Sequence, residues 1–173
     1  MKMDSPSLSA ISHPHIVKIY NFVVHDGCGY IVMEYVGGIS LKDVLGARRR
    51  ANRGAPDPLP TAQAVAYLIE VLSALGHLHE QGMLYSDLKP DNVMHVGDGI
   101  KLIDLGGVRH LADLDSPIYG TVGYQAPEVS DVGPSVASDL WTVGRILLSL
   151  AADFRGNTTT YAASLPSPED LTL

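Results

Sequence analysis

Two short apolar runs near the middle of the chain constrain the fold most strongly. The runs, Val93 to Val96 and Ile100 to Ile103, are separated only by Gly97-Asp98-Gly99, a spacing typical of a β-hairpin. A hairpin brings its two outer ends together, so the residues before its first strand and after its second strand become neighbours. We therefore expect the polar segments at these two ends to form one site.

These polar segments carry the groups that phosphoryl transfer requires. Asp87, Lys89 and Asn92 precede the first strand, and Asp104 follows the second. Asn92 and Asp104 offer oxygen ligands of the kind that Mg²⁺ prefers, while Asp87 is left to orient or deprotonate a hydroxyl. Lys89 adds a positive charge beside it, as a transferred phosphate needs. The sequence thus predicts that these groups converge and act on a phosphate.

The N-terminal part of the chain is expected to contain another hairpin and a short helix. The runs Ile16 to His25 and Tyr30 to Val36 are rich in β-branched and aromatic residues and flank a glycine turn, which predicts two strands. Ser40 has an acidic residue three positions later, a pattern that predicts a helix N-cap, with the helix reaching Leu45. The arginine run at 48–50 is expected to be a solvated face.

Two longer helices are expected to build most of the core. The first begins at Thr61 as its N-cap and ends before Gly82. Its predicted buried face consists of Val65, Leu68, Leu72, Leu75 and His79. The second, Val136 to Ala152, is strongly apolar and is expected to be buried. The longest apolar stretch, Ile146 to Ala152, is too short to span a bilayer, so no membrane segment is expected.

Composition excludes several functional classes. The 173 residues carry 12 basic and 19 acidic side chains, a net charge of −7 that argues against binding to nucleic acid. Cys28 is the only cysteine, so neither an internal disulfide nor a cysteine-rich metal site can form, which indicates a reducing, cytoplasmic location. Hydrophobic residues make up 46% of the chain, enough for one folded domain, and the oligomeric state is left open.

Ordered motifs around the predicted site resemble the eukaryotic-type protein kinase signature. The pattern Asp-x-Lys-x-x-Asn from Asp87, followed by a strand and Asp104-x-Gly, is similar to the catalytic loop and the magnesium motif of that family. Further matches are the hinge at 33–36, the end of the activation segment at 120–128 and the start of the buried helix at 139–144. Residues 30–38, 101–108 and 133–139 resemble the actinobacterial protein kinase G group of serine/threonine kinases.

The resemblance implies an α+β, protein-kinase-like fold, mainly the helical C-lobe with a hinge and a remnant of the N-lobe sheet. The implied boundaries are 1–36 for the N-lobe remnant, 37–152 for the C-lobe core and 153–173 for a C-terminal tail. The implied activity is transfer of the γ-phosphoryl group of ATP, with Mg²⁺, to a serine or threonine hydroxyl of a protein.

Individual positions receive roles from the same resemblance. Asp87 would accept the proton of the substrate hydroxyl, and Lys89 would steady the transferred phosphate. Asn92 and Asp104 would hold Mg²⁺. Thr121 in the Gly-Thr element, together with the lysine of the catalytic loop, implies a serine or threonine acceptor rather than tyrosine.

The hinge is implied to bind the adenine of ATP. The backbone of Glu34 and Val36 would hydrogen-bond to the base, and Met33 would close the back of the pocket. Ser40 would lie near the ribose. Below the catalytic loop, Asp139 is implied to brace the loop backbone.

Departures from the family pattern leave alternatives open. Ser86 stands where kinases that are switched by phosphorylation have arginine, so activity is expected not to depend on a phosphate at Ser116 or Tyr119. No glycine-rich phosphate loop precedes the hinge, and neither Lys2 nor Lys18 matches the lysine that pairs with ATP. The chain is therefore expected to be a kinase core shortened at both ends.

Two other functions follow from these departures. A catalytically inactive kinase-like module that binds partners is favoured by the missing phosphate loop and lysine. A small-molecule phosphotransferase shares the spacing from Asp87 to Asn92. Lys89 and the Ala126-Pro127-Glu128 element argue against that alternative, because small-molecule kinases generally lack this peptide-substrate platform.

Overall fold

A computed structural model of the chain describes residues 8–113, 118 and 120–154. Its strands are β1 (Ile19–His25), β2 (Cys28–Met33), β3 (Ile39–Ser40), β4 (Met83–Leu84), β5 (Val93–Val96), β6 (Gly99–Leu102) and β7 (Arg109–His110). Its helices are α1 (Leu41–Ala51), α2 (Thr61–Glu80), α3 (Val129–Val132) and α4 (Val136–Ala152), with a 3₁₀ turn at Pro90–Asn92. Ser116, Tyr119 and nearly all of the tail that begins at 153 lie outside the described residues.

The predicted central hairpin is present as β5 and β6. The two strands pair antiparallel, with Val93 opposite Leu102 and Val96 opposite Gly99, and β3 adds a third strand on the other side of β5. The pairing continues one step beyond the hairpin, where the amide of Ile103 donates to the carbonyl of Asn92 at 3.1 Å. The residues on either side of the hairpin are therefore neighbours, as the sequence predicted.

The N-terminal hairpin consists of β1 and β2 and is shorter than the sequence predicted. Ile16 and Val17 do not join it, because both are buried in the core and the amide of Val17 donates to the carbonyl of Leu102 at 2.8 Å. Every residue of β2 is exposed, as are Val23 and Val24 of β1. The hairpin therefore carries apolar side chains that contact water.

Helix α1 begins at its predicted cap but extends past the predicted end at Leu45. Ser40 Oγ accepts the amide of Asp43 at 3.1 Å, and the helix continues to Ala51. The prediction that the arginine run is only a solvated face is wrong. Arg48 pairs with Asp57 at 2.8 Å, and basic side chains in the last turn also favour the helix dipole.

The side chains of helix α2 that face the core are not the set that the sequence predicted. Pro60 rather than Thr61 is its N-cap position, and no side chain caps it. Val65 and Leu72 are 41% and 42% exposed. The buried side chains are Ala64, Tyr67, Leu68, Val71, Ala74, Leu75 and Leu78. Among the described helices, α2 alone is long and apolar enough to cross a membrane by length and composition, but these side chains form part of the core.

Helix α4 packs against α2 and has the predicted bounds. Ser135 caps it, since its Oγ accepts the amide of Ser138 at 3.1 Å while Ser138 Oγ accepts the amide of Ser135 at 2.8 Å. Asp153, the C-cap residue of the helix, is buried and pairs with Arg49 at 2.7 Å. These contacts fix both ends of α4.

Candidate active site

Three of the predicted site residues contact one another directly. Lys89 Nζ donates to Asp87 Oδ2 at 2.7 Å, and Thr121 Oγ1 donates to Asp87 Oδ1 at 2.6 Å. The ammonium of Lys89 also lies 3.0 Å from Thr121 Oγ1. The loop before β5 and the segment near residue 121 are thereby joined through one carboxylate. Both Asp87 and Lys89 are about one-fifth exposed, so a substrate hydroxyl can reach them.

The two predicted metal ligands lie at the outer end of the central hairpin. Asn92 is buried, and its Nδ2 donates to the carbonyl of Asp87 at 2.9 Å. This bond fixes the amide and leaves its Oδ1 as an acceptor. Asp104 is exposed, and one of its carboxylate oxygens accepts the amide of Gly106 at 2.9 Å. The carboxylate and the amide oxygen are thus held on adjacent backbone segments.

This pair of oxygen ligands fits Mg²⁺. Mg²⁺ is usually bound through one or two carboxylates together with substrate phosphates and water, rather than by a complete cage of protein ligands. The described residues contain no group of three or more histidine, cysteine or acidic side chains that could hold a metal ion. Asn92 and Asp104 would therefore hold Mg²⁺ only in company with phosphate oxygens.

Asp139 supports the catalytic loop from below. Its Oδ2 accepts the amide of Tyr85 at 2.9 Å, and its Oδ1 accepts the amide of Ser86 at 2.9 Å. His79 Nε2 lies 2.8 Å from the same carboxylate. Asp139 is 2% exposed, so these groups replace the water that a buried carboxylate loses. The bracing role implied by the resemblance is present in the structure.

Tyr85 is a buried group of the site that the sequence analysis did not single out. It is fully buried, and within the described part of the chain its hydroxyl makes no hydrogen bond of good geometry, although the backbone of Asp104 lies close enough to lower its pKa slightly. Burial raises the pKa of Tyr85 well above its ordinary value, and the carboxylates of Asp104 and Asp87 raise it further. The hydroxyl therefore stays protonated and lies near two of the predicted site residues. Its position two residues before Asp87 is the only sequence signal for it.

The hinge lines a cavity of about 330 Å³. Met33, Glu34 and Val36, the three predicted adenine-binding residues, form part of its wall. The other lining residues, which the sequence analysis missed, are Val17, Tyr35, Met94 and Ile103. Met94 on β5 and Ile103 after β6 could have been expected there, because they flank the predicted metal ligands in sequence. A mostly apolar cavity of this kind suits a purine base.

Ser40 does not line this cavity. Its hydroxyl donates to Asp43 Oδ2 at 2.7 Å and accepts the Asp43 amide, so both of its hydrogen-bonding functions serve the cap of α1. The proton of the hydroxyl is thus used by the helix, and a ribose hydroxyl could reach Ser40 only as a donor to the remaining lone pair of Oγ.

An ion pair fixes the hinge to the central hairpin. Lys101 Nζ on β6 lies 2.7 Å from Glu34 Oε1 and 2.8 Å from Oε2. The hydrogen bond from Lys101 lowers the pKa of Glu34, and the backbone amide of Lys18 lowers it further. The amide of Glu34 in turn donates to the carbonyl of Lys18 at 2.8 Å. No local pattern in the sequence indicates that these two side chains meet.

Comparison with known proteins places this geometry in a family. Residues 4–161 match the protein kinase domain. The chain belongs to the protein kinase family. The predicted α+β, kinase-like fold is thereby confirmed.

Individual relatives extend the comparison. This kinase domain is 48% identical over 167 residues to the serine/threonine-protein kinase PknG of Mycolicibacterium smegmatis, covering 94% of the chain and 20% of that relative. PknG of Mycobacterium leprae is 47% identical, with coverage of 94% and 21%. The serine/threonine-protein kinase PrkC of Bacillus subtilis is 31% identical over 156 residues, with coverage of 86% and 23%. The chain thus spans about a fifth of the length of the mycobacterial relatives.

Proposed function

We propose that the chain is the catalytic part of a serine/threonine protein kinase, a transferase that moves the γ-phosphoryl group of ATP to a protein hydroxyl. The observation that carries this proposal is the set of contacts in which Lys89 and Thr121 engage the two carboxylate oxygens of Asp87. A carboxylate, a cation and a hydroxyl within 3.0 Å of one another match what phosphoryl transfer to an alcohol needs.

The contacts suggest a role for each of these groups. Each oxygen of Asp87 accepts one hydrogen bond and retains a lone pair, so the carboxylate can accept a further bond from the acceptor hydroxyl. Lys89 would attract the transferred phosphoryl group toward that hydroxyl. Thr121 holds the side chains of Lys89 and Asp87 in their relative positions, because its Oγ1 contacts both.

The nucleotide would span the hinge and the metal ligands. Its adenine would occupy the 330 Å³ cavity against the backbone of Glu34 and Val36, with Met33 at the back. Asn92 and Asp104 would hold the Mg²⁺ that neutralises the phosphate oxygens. Ser40 would contact the ribose as an acceptor, because its proton is used by the cap of α1.

The relatives support the acceptor class. Both mycobacterial relatives are serine/threonine-protein kinases by name, and they are nearly half identical to this chain. We propose the same acceptor class here, with catalysis carried by 37–152, flanked by an N-lobe segment at 1–36 and a tail at 153–173. The cytoplasm is the proposed location, because Cys28 is exposed and is not part of a disulfide.

The direct test is a phosphoryl-transfer assay. The purified chain is incubated with labelled ATP, Mg²⁺ and a library of peptides that contain serine, threonine or tyrosine. We expect label on serine and threonine peptides, and a loss of at least 100-fold in rate for Asp87→Asn. Asp98→Asn is the matched control, because Asp98 lies in the turn between β5 and β6, away from the site.

Each outcome of this assay separates the candidate functions. Mg·ATP binding without transfer to any peptide would contradict the proposal and favour a kinase-like binding module. Transfer to a small alcohol, but not to peptides, would favour a small-molecule phosphotransferase. Equal rates for Asp87→Asn and the unaltered chain would show that the carboxylate is not involved.

A further inference from the structure

A second cavity, of about 530 Å³, opens beside the proposed catalytic residues. Lys89 and Thr121 line one wall, and both contact Asp87. The opposite wall is the side of α1 that carries Lys42 and Arg50. A peptide in this cavity would therefore place its side chains within reach of α1 while its acceptor hydroxyl lies at Asp87.

The acidic side chains that line this cavity all have partners. Asp91 forms an ion pair with Lys42, a contact that joins the catalytic loop to α1. Asp153 is paired with Arg49 on α1, 2.7 Å away. Asp43 accepts the hydroxyl of the α1 N-cap at 2.7 Å and lies in the first turn of the helix, where the helix dipole stabilises a negative charge.

Arg50 is different from these groups. It lies in the last turn of α1, it is exposed, and it lines the same cavity. Within the residues that the structure describes, its guanidinium makes no ion pair and no hydrogen bond to a side chain. Lys42, by contrast, is held by Asp91, which raises the pKa of Lys42 and keeps it charged. The cavity thus offers one cation that the fold itself does not use.

We propose that this cavity binds the protein substrate next to its acceptor residue and selects acidic side chains there, with Arg50 as the group that pairs with them. The inference rests on the proposed kinase function and adds the substrate class to it. A guanidinium binds a carboxylate through two parallel hydrogen bonds, so Arg50 is suited to glutamate or aspartate. A basic side chain of the substrate would gain little from Asp91, because Lys42 already pairs with that carboxylate.

The size of the selectivity follows from the exposure of Arg50. An exposed, charge-assisted pair stabilises a complex by a modest amount, which corresponds to about a fivefold change in affinity. The pair is also screened by salt, so the preference shrinks at high ionic strength. The contribution is one of recognition, and Arg50 is a specificity residue rather than a catalytic residue.

The test compares three fluorescent peptides that differ only at the residues flanking one threonine, which are glutamate, glutamine or lysine. Their binding to the whole chain is measured by fluorescence anisotropy at low and high salt. We expect the glutamate peptide to bind about fivefold more tightly than the glutamine peptide, and the lysine peptide to bind most weakly. Arg50→Gln is expected to remove this preference, and Arg50→Glu is expected to reverse it.

Arg53→Glu is the matched control, because Arg53 is exposed just past the same end of α1 but does not line the cavity. It makes the same change in net charge and should leave the preference intact. Circular dichroism spectra establish that each variant is folded. Equal binding of the three peptides, binding of none of them, or a preference that survives in Arg50→Glu would each overturn the inference.

An assay of phosphoryl transfer from labelled ATP to the same peptides tests the kinase function separately from the role of Arg50. An acidic preference in binding without any phosphoryl transfer would contradict the kinase function and leave the cavity as an acidic-peptide site. Phosphoryl transfer at equal rates to all three peptides would leave the kinase function standing and overturn the role of Arg50.

Discussion

The carboxylate of Asp139 holds the backbone of Ser86 in a conformation that residues with a side chain seldom adopt. Its Oδ1 accepts the amide of Ser86 at 2.9 Å, and Ser86 has a φ of 67°. This φ lies in the left-handed region, which costs an L-amino acid about 1–2 kcal/mol. Helix α4 thus supplies the bonds that turn the chain immediately before Asp87. The position of the proposed catalytic carboxylate therefore depends on a residue that follows Ser86 by 53 positions.

Removal of Asp139 should therefore destabilise the fold strongly. Asp139→Ala leaves the amides of Tyr85 and Ser86 and the ring of His79 without their acceptor, and we expect a loss of ~3 kcal/mol in the free energy of unfolding. Urea denaturation measures this change in the free energy of unfolding. Asp98→Ala, in an exposed turn, should stay within ~0.5 kcal/mol of the unaltered chain. A loss below ~1 kcal/mol in Asp139→Ala would mean that the bracing bonds contribute little.

Relief of the backbone strain at Ser86 should change the free energy of unfolding in the opposite direction and stabilise the fold. Glycine tolerates a positive φ, so we expect Ser86→Gly to raise the free energy of unfolding by ~0.5–1 kcal/mol. Ser73→Gly is the matched control, because Ser73 lies inside helix α2, where the same replacement should cost ~0.5–1 kcal/mol. Thermal unfolding distinguishes the two. Equal destabilisation by both replacements would argue against strain at Ser86.

A histidine cluster predicts how stability depends on pH. The rings of His13 and His77 lie 5.1 Å apart, those of His13 and His15 lie 5.5 Å apart, and His15 contacts Glu70. Burial lowers the pKa of His13 from its ordinary value of 6.5, and the charges on His77 and His15 lower it further. The folded chain then binds fewer protons than the unfolded chain below pH 6.5, so stability falls as the pH falls through that value.

The measurement is urea denaturation between pH 7.5 and 5. We expect His13→Gln to flatten the decline in the free energy of unfolding, because the residue can no longer titrate. His25→Gln, in the exposed N-terminal hairpin, should leave the decline unchanged. An equal decline in the free energy of unfolding in both variants would show that His13 is not the cause of the pH dependence.

The hinge ion pair gives a fourth prediction. In Lys101→Met the pKa of the Glu34 carboxyl should rise toward its ordinary value of 4.5, because Lys101 is the largest cause of its depression. At neutral pH the pair should contribute less than ~1 kcal/mol, since both side chains are partly exposed. That contribution is present above pH 4.5 and is lost as the pH falls through the lowered pKa.

NMR titration of the Glu34 carboxyl measures this shift. Lys18→Met is the control, because the Lys18 ammonium lies over the ring of Tyr20 and is a minor cause of the lowered pKa. Its effect on the Glu34 pKa should be the smaller of the two. A larger shift in Lys18→Met than in Lys101→Met would show that the ion pair is not what lowers the pKa.

Local signals in the sequence predicted the parts of the fold that depend on neighbouring residues. The central hairpin followed from two apolar runs around a glycine turn, and α4 followed from a strongly apolar run with a helical period. The buried face of α2 could not be predicted from such local signals. That helix is apolar on most sides, so its period alone did not show which stripe faces the core, and Val65 and Leu72 remained exposed.

Contacts between distant residues account for most of what the sequence missed at the site. Arg49 and Asp153 are separated by 104 residues, and Lys101 and Glu34 by 67, so no local pattern reports either pair. The motif positions Asp87, Lys89 and Thr121 were predicted as one site because the family resemblance linked them across 34 residues. The cap formed by Ser40 was also predicted, but the bond from its hydroxyl to the carboxylate of Asp43 became visible only in the structure.

The most direct test of the account is a calorimetric titration of the folded chain with ATP and Mg²⁺, alongside Asp104→Ala. We expect measurable binding to the unaltered chain and its loss in the variant, because Asp104 is the proposed carboxylate ligand of the metal that holds the phosphates. Absence of heat at millimolar ATP in a folded sample, or equal affinity in Asp104→Ala, would contradict the proposed nucleotide site.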